Sequence, residues 1–345
     1  MNDPQSTLPS NAKATRRSQG QIVVARALWH VKPGMAEIRS ERLAPTPPGA
    51  VRIATEYSAL SRGTERLVAL GRVPESEWSR MRAPLQAGEF SFPVKYGYSA
   101  TGVIAAGADH LIGKRAFVLH PHQDNFVVPQ AMAALLPDAV SSRRGVLAAN
   151  METALNAHWD AGTALGDRVL VIGAGIVGLL TAYLARRIAG TEVAILDVNP
   201  DRGRLADALG IRFVSPADVP KDNRIVFHTS ATGAGLEAAI DACGFEGTII
   251  EMSWYGSEPV SLKLGGAFHS RRLKIQSSQV GHVAASHRAQ VTRTDRLARA
   301  IELLDDDRLD ALVVDEIRFE NLPAELPRIW SSSDLPPIIR YQTAE

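Results

Sequence analysis

The sequence holds a single cysteine, Cys243, in 345 residues. That scarcity excludes an internal disulfide framework and any cysteine cluster of the kind that holds structural zinc. A reducing, cytoplasmic location is the expectation that follows. Long apolar runs are missing too, since no stretch reaches the roughly 18 apolar residues that would cross a membrane. Neither sign of charge dominates. Lysine and arginine total 38 against 37 aspartates and glutamates, mixed along the chain, so no basic face offers itself to nucleic acid or to anionic lipid. A small molecule is the partner that remains. Residues 1–20 (MNDPQSTLPSNAKATRRSQG) lack the apolar core of a secretory signal, despite the Arg16-Arg17 pair, and read as a disordered tail.

What is present is a 45% hydrophobic chain, long enough to bury a sizeable core in two domains. From residue 21 to about 137, short β-type runs (QIVVARALWH, VRIATEYSAL, TGVIAAG, RAFVLH, NFVVP) are broken by Gly and Pro, which predicts a β-rich domain. Residues 65–70 and 75–81 read as short helical turns. Near residue 141 the pattern changes. RRGVLAANMETALNAHWDA has helical spacing, and the β runs VLVIGAG, EVAILDV, IVFHTS and TIIEMSW then alternate with Ala- and Leu-rich helical stretches. Such alternation predicts an α/β fold with a doubly wound parallel sheet. A helix over 294–304, the β run ALVVDEIRF and a last strand in PPIIRYQ follow, a tail suited to completing the first domain.

The clearest chemical signal is Gly173-Ala174-Gly175-Ile176-Val177-Gly178. It follows an apolar strand directly and opens a proline-free helix, the context that turns a common glycine spacing into a dinucleotide-binding loop. Gly173 would permit the tight turn, Gly175 the approach of a pyrophosphate, and Gly178 close contact of helix and strand, with the helix N-terminus facing the phosphates. Asp197 closes the second strand, 24 positions after Gly173, where an acid takes the adenosine ribose hydroxyls. A carboxylate there repels a 2′-phosphate and favours NAD over NADP. Arg202 is a further cofactor candidate. With Arg204 it is equally suited to a solvated helix face.

With these residues in view the sequence resembles the medium-chain dehydrogenase/reductase superfamily, from about residue 21 onward. NMETALNAH, VLVIGAGIVGLL, LDVNPDRGRLADALG and HTSATGAGLEAAIDACGFEGTIIEMSWYG carry the resemblance. SALSRGTERLVALGRVP and FPVKYGYSATGVI look like a zinc-free branch related to the bacteriochlorophyllide dehydrogenases. The resemblance implies a GroES-like catalytic domain at 21–150 that resumes at 278–345, and a Rossmann domain at 151–277 between them. It places the active site in the cleft between the two. Thr153, Ser230, Ser253, Ser277 and Ser278 become cofactor candidates, and a homodimer is expected by analogy.

The zinc enzymes of the family place metal ligands where this sequence has Ser61 or Arg62, Tyr98-Ser99 and Ala149, none of which builds a tetrahedral zinc site. No structural-zinc lobe fits within RAFVLHPHQDNFVVP. His120, His122 and Asp124 offer an alternative ligand set, though lone histidine pairs are more often hydrogen-bonding residues. Without zinc, hydrogen-bond donors must stabilise charge on the reacting oxygen. Ser61, Tyr98 and Ser99 are the catalytic candidates, with Thr64, His122 and Glu152 as relay members, and filling of an emptied metal cavity is the rival role for Tyr98 and Ser61. The reading is a zinc-independent, NAD-dependent alcohol or carbonyl oxidoreductase. An NAD(P)H-dependent enone or quinone reductase and a non-catalytic NAD-binding sensor stay open as alternatives.

Overall fold

Strand β1 (Val24–Lys32) buries Ala25, Ala27 and Leu28 and pairs antiparallel with β2 (Met35–Arg42), whose charged residues suit a strand at a sheet edge. The sequence runs did not single out β2, because its apolar face is only half-buried. Next come β3 (Ala50–Ala59) and helix α1 (Arg62–Ala69). Short strands β4 (Ala87–Gly88) and β5 (Val94–Lys95) join the hairpin in the order β2-β1-β5-β4. Strands β6 (Ala100–Ala106), β7 (Arg115–Val118), β8 (Asn125–Pro129) and β9 (Ala134–Leu135) build on β3 instead, forming the β-rich half. The computed structural model describes residues 23–342, so the expected N-terminal tail lies outside the described residues.

Helices α2 (Ser142–Gly145) and α3 (Ala148–Ala161) lead out of this half, and α3 ends at Gly162 in the left-handed region. The chain then alternates through β10 (Arg168–Ile172), α4 (Ile176–Arg186), β11 (Glu192–Leu196), α5 (Gly203–Ala208) and β12 (Arg212–Val214). It continues through β13 (Asn223–His228), α6 (Gly233–Ala242), β14 (Cys243–Glu251), α7 (Ala267–Ser270) and β15 (Lys274–Ser277). All six strands are parallel in the order β12-β11-β10-β13-β14-β15, the Rossmann arrangement whose switch point lies between β10 and β13. Cys243, read in sequence as helical, begins β14. Its thiol is buried, which pushes its pKa up to about 11, as suits a small core residue.

Helix α8 (Arg293–Glu302) is capped by a Thr292–Asp295 box and shares a core with α3 and α4, and Tyr183 of α4 donates to Asp306 just beyond it. The chain from 278 to about 313 therefore stays with the parallel sheet. It re-enters the β-rich half only at β16 (Glu316–Arg318), later than the resemblance implies. The expected long strand in ALVVDEIRF shrinks to those three residues because the leucine and valine side chains before them turn into the α8 core. After α9 (Leu322–Ser331), β17 (Ile338–Arg340) lies between β16 and β3, antiparallel to β3.

Arg296 of α8 is 2% exposed. It donates to Glu152 Oε1 at 3.0 Å, to Asn156 Oδ1 at 2.6 Å and to the His282 carbonyl at 3.0 Å, which ties α8, α3 and the loop after β15 together. Arg296→Met leaves the Glu152 carboxylate buried without its partner and should destabilise the fold by about 3–5 kcal/mol. Denaturant unfolding checks this, and adding Glu152→Gln to the variant should restore most of the loss.

Candidate active site

The two halves enclose a cavity of about 1700 Å³. Its walls come from the start of α1, Tyr98 and the start of α3 on one side, and from the glycine loop and the ends of β11, β13 and β14 on the other. These are the carboxyl ends of the parallel strands, where open α/β sheets take ligands.

Within the loop the glycines divide their work. A Cβ on Gly178 would lie 1.8 Å from the Gly173 carbonyl, so helix and strand contact there excludes any side chain. Gly173 has φ +105, a conformation that L side chains rarely adopt. Gly175, by contrast, has ordinary backbone angles, and a Cβ there would meet nothing within 4 Å. The space above it is room for a ligand, and Ile176, Val177 and Gly178 open α4 with unpaired N–H groups at its positive end. Asp197 accepts from the Ala174 N–H at 2.7 Å and the Asn199 N–H at 2.8 Å, holding its carboxylate at the cleft edge. The cradle therefore fits a dinucleotide, with Asp197 at the adenosine end.

Arg202 is buried rather than solvated and donates to the Ser333 carbonyl. Burial lowers its pKa while Asp197 and Asp334 oppose the shift. Thr153 lines the cleft with its hydroxyl turned back to the Ala149 carbonyl at 2.9 Å. Ser230, Ser253 and Ser278 also line it, although Ser278 donates to Asp160 at 2.7 Å. Ser277 does not reach the cavity wall. It ends β15 with its side chain exposed.

Ser61, Thr64 and Tyr98 all line the cleft wall. Burial, then the charge of Glu65, pushes the Tyr98 phenol up to about 12, against smaller opposing effects of hydrogen bonds with Ser61 and Thr64. His122 lies behind this group. It is fully buried, with Nε2 2.8 Å from Glu65 Oε2 and Nδ1 2.8 Å from Ser58 Oγ, and it touches the cleft only through its neighbours. Glu65, 1% exposed, also accepts from the Ser61 N–H at 2.9 Å, and Ser58 continues the chain to the Tyr341 hydroxyl at 2.9 Å. Glu152 lines the cavity, but its carboxylate is committed to Arg296, which makes it a holder of α8 rather than a free relay group.

The donor set does not fit zinc. Tyr98 and Ala149 stand at two of the expected ligand positions, and both nitrogens of His122 are engaged. His120 stacks on Phe126 at 3.6 Å, and burial lowers its pKa to about 3, while Asp124 binds Arg26 at 2.9 Å, so the H-x-H alternative points to separate partners. Among the described residues no group of three His, Cys, Asp or Glu could hold a metal ion.

Sequence reading missed one cluster. His228 and Glu251 end β13 and β14, stand opposite each other in the parallel register, and meet with Nδ1 2.8 Å from Oε2. Ser230 Oγ lies 2.7 Å from His228 Nε2. Glu251 further accepts the Ser253 N–H at 2.7 Å and the Tyr255 hydroxyl at 3.1 Å. The available signal was an ionisable residue at the last position of two successive apolar strands.

A family model described as "Alanine dehydrogenase/PNT, C-terminal domain" matches residues 159–253, the core of the parallel-sheet half. The 2-desacetyl-2-hydroxyethyl bacteriochlorophyllide A dehydrogenase of Rhodobacter capsulatus is 28% identical over 237 residues, covering 66% of this chain and 73% of that protein. The (R,R)-butanediol dehydrogenase of Bacillus subtilis is 24% identical over 254 residues, covering 63% and 70%. Matches to further polyol dehydrogenases span about half of those proteins or less. Among solved structures, a Sinorhizobium meliloti protein described as a zinc-binding dehydrogenase and bound to NADP superimposes with a TM-score of 0.73 at 16% identity, over 92% of this chain and 99% of that one. The chain has the fold of these dehydrogenases, and its relatives support an alcohol dehydrogenase-like oxidoreductase.

Gly175 separates ligand room from folding need. Gly175→Val should leave the unfolding midpoint within about 1 kcal/mol of the parent, because its Cβ meets nothing. It should still weaken NADH binding about a hundredfold by occupying the pyrophosphate approach, as read by fluorescence titration.

Proposed function

We propose that this chain is a zinc-independent, NAD-dependent oxidoreductase that moves hydride between the nicotinamide and an alcohol or carbonyl substrate. The observation that carries this reading is the pairing, in one cleft, of the Gly175 cradle and Asp197 with a reaction wall of Ser61, Thr64 and Tyr98. NAD, when bound, would supply the hydride acceptor or donor. The side chains of the wall supply the rest. Burial keeps the Tyr98 phenol protonated, so it serves as a hydrogen-bond donor to the substrate oxygen, with Ser61 and Thr64 orienting it. Asp197 supports NAD over NADP.

Activated substrates suit a site without a Lewis acid, because a conjugated ring or enone spreads developing charge itself. An enone reductase using NADPH is the second reading within the class, and Asp197 speaks against it. No helix among the described residues is long and apolar enough to cross a membrane. A cytoplasmic homodimer, paired through the free edge of β15, belongs to the same proposal.

Tyr98→Phe should lower kcat about a hundredfold while NADH affinity stays unchanged, in steady-state assays with secondary alcohols and ketones. NADH binding without turnover of any alcohol, ketone or enone would instead identify a sensor. Protein dialysed against a chelator should keep its activity, and metal analysis by mass spectrometry should find no stoichiometric zinc. Activity that disappears with the metal and returns on adding zinc would overturn the zinc-independent reading.

A further inference from the structure

The cluster at the ends of β13 and β14 has no part in the reaction wall, yet it opens onto the same cavity through Ser230 and Ser253. Asp197 marks the adenosine end at β11 and the glycine loop at β10 takes the pyrophosphate. The strand order β11-β10-β13-β14 then puts the nicotinamide half of a bound dinucleotide beside this cluster. The Gly173 backbone confirms the proximity, since a Cβ on it would sit 2.8 Å from the Ser230 nitrogen.

The hydrogen bonds fix the state of each group. Glu251 accepts from three directions, from His228, the Ser253 N–H and the Tyr255 hydroxyl. His228, with Nδ1–H donated to Glu251, presents Nε2 as an acceptor, so Ser230 donates its proton inward. Thr232 lies 3.0 Å from Ser230 Oγ and caps α6 through the Gly235 N–H. The Ser230 oxygen is thereby left as an acceptor toward the cleft. Burial, then Glu251, raises the pKa of Tyr255 and keeps its phenol neutral. With His228 neutral the cluster carries one negative charge, and with His228 protonated it carries none. The first turn of α6 brings no acid, and the end of β10 brings no ionisable side chain.

We propose that Glu251, acting through His228, makes the nicotinamide-side wall selective for the oxidised, cationic form of the dinucleotide, and that Ser230 is the hydroxyl through which this wall touches the cofactor. The proposal rests on the NAD-binding reading above. Oxidised and reduced forms differ by one positive charge on the nicotinamide, so a single partly buried carboxylate distinguishes them by charge alone. Glu251 and His228 are positioning residues, and Ser230 is the contact.

The test is the ratio of NAD⁺ to NADH affinity at neutral pH, measured by calorimetry and fluorescence titration. Glu251→Gln should lower the ratio about tenfold relative to the parent protein. Glu251→Asp, which keeps the charge, should keep the ratio high. His228→Lys, which sets a fixed cation against Glu251, should lower the ratio about tenfold. Ser230→Ala should weaken both forms about threefold to tenfold and leave their ratio high. A Glu251→Gln or His228→Lys protein with the parent's ratio overturns the proposal, and where one variant does not fold the other decides. Failure of both NAD⁺ and NADH to bind the parent protein overturns the NAD-binding reading itself.

Discussion

The structure depends on the return of the chain end into the first sheet. Strand β17 pairs with β3 through Ile338 and Ala59, Ile339 and Ser58, and Arg340 and Tyr57, and it carries β16 at the sheet edge. Without that closure the β-rich half and the parallel sheet would be joined only through α2 and α3, and the cleft would have no fixed width. The closure also builds the site. Ser58, paired in β3, is the link between Tyr341 and His122, and His122 in turn orients Glu65 under Ser61. A polar chain that begins in the last strand therefore ends at the reaction wall. Tyr341, Ser58, His122 and Glu65 are all buried, so their hydrogen bonds must be made within the protein, and the geometry of Ser61 and Glu65 is set by strands far away in sequence.

The two walls of the cleft hold charge in different ways. The reaction wall keeps its outermost group, Tyr98, neutral by burial beside the Glu65–His122 pair. The nucleotide wall sets out backbone N–H groups at the start of α4, the Asp197 carboxylate at one end and the Glu251–His228 pair at the other.

How much of this was legible in the sequence depended on whether the cause was local. The glycine loop and Asp197 were legible because their demands act on a few consecutive residues of backbone, with strand, turn and helix all in view. His122 was named as a relay member through the family pattern, but its partners Ser58 and Glu65 come from separate segments that the sequence does not bring together. Arg296 and Glu152, 144 positions apart, and the His228–Glu251 pair, joined by parallel register, depend on contacts that no local period encodes. The same holds for the point of return. The apolar residues before β16 served the α8 core rather than a longer strand, and only packing decides between those two uses.

The loop at 332–336 has a mechanical meaning. Arg62, from the β-rich half, donates to the carbonyl of Asp334, and Arg202, from the parallel-sheet half, donates to the carbonyl of Ser333. Two successive peptide groups are thus gripped from opposite banks of the same opening, and β17 follows directly behind them. Any widening of the mouth stretches one grip or pulls on the strand that closes the first sheet. Access for a dinucleotide and the stability of the carboxyl-terminal strand are therefore coupled through one short piece of backbone.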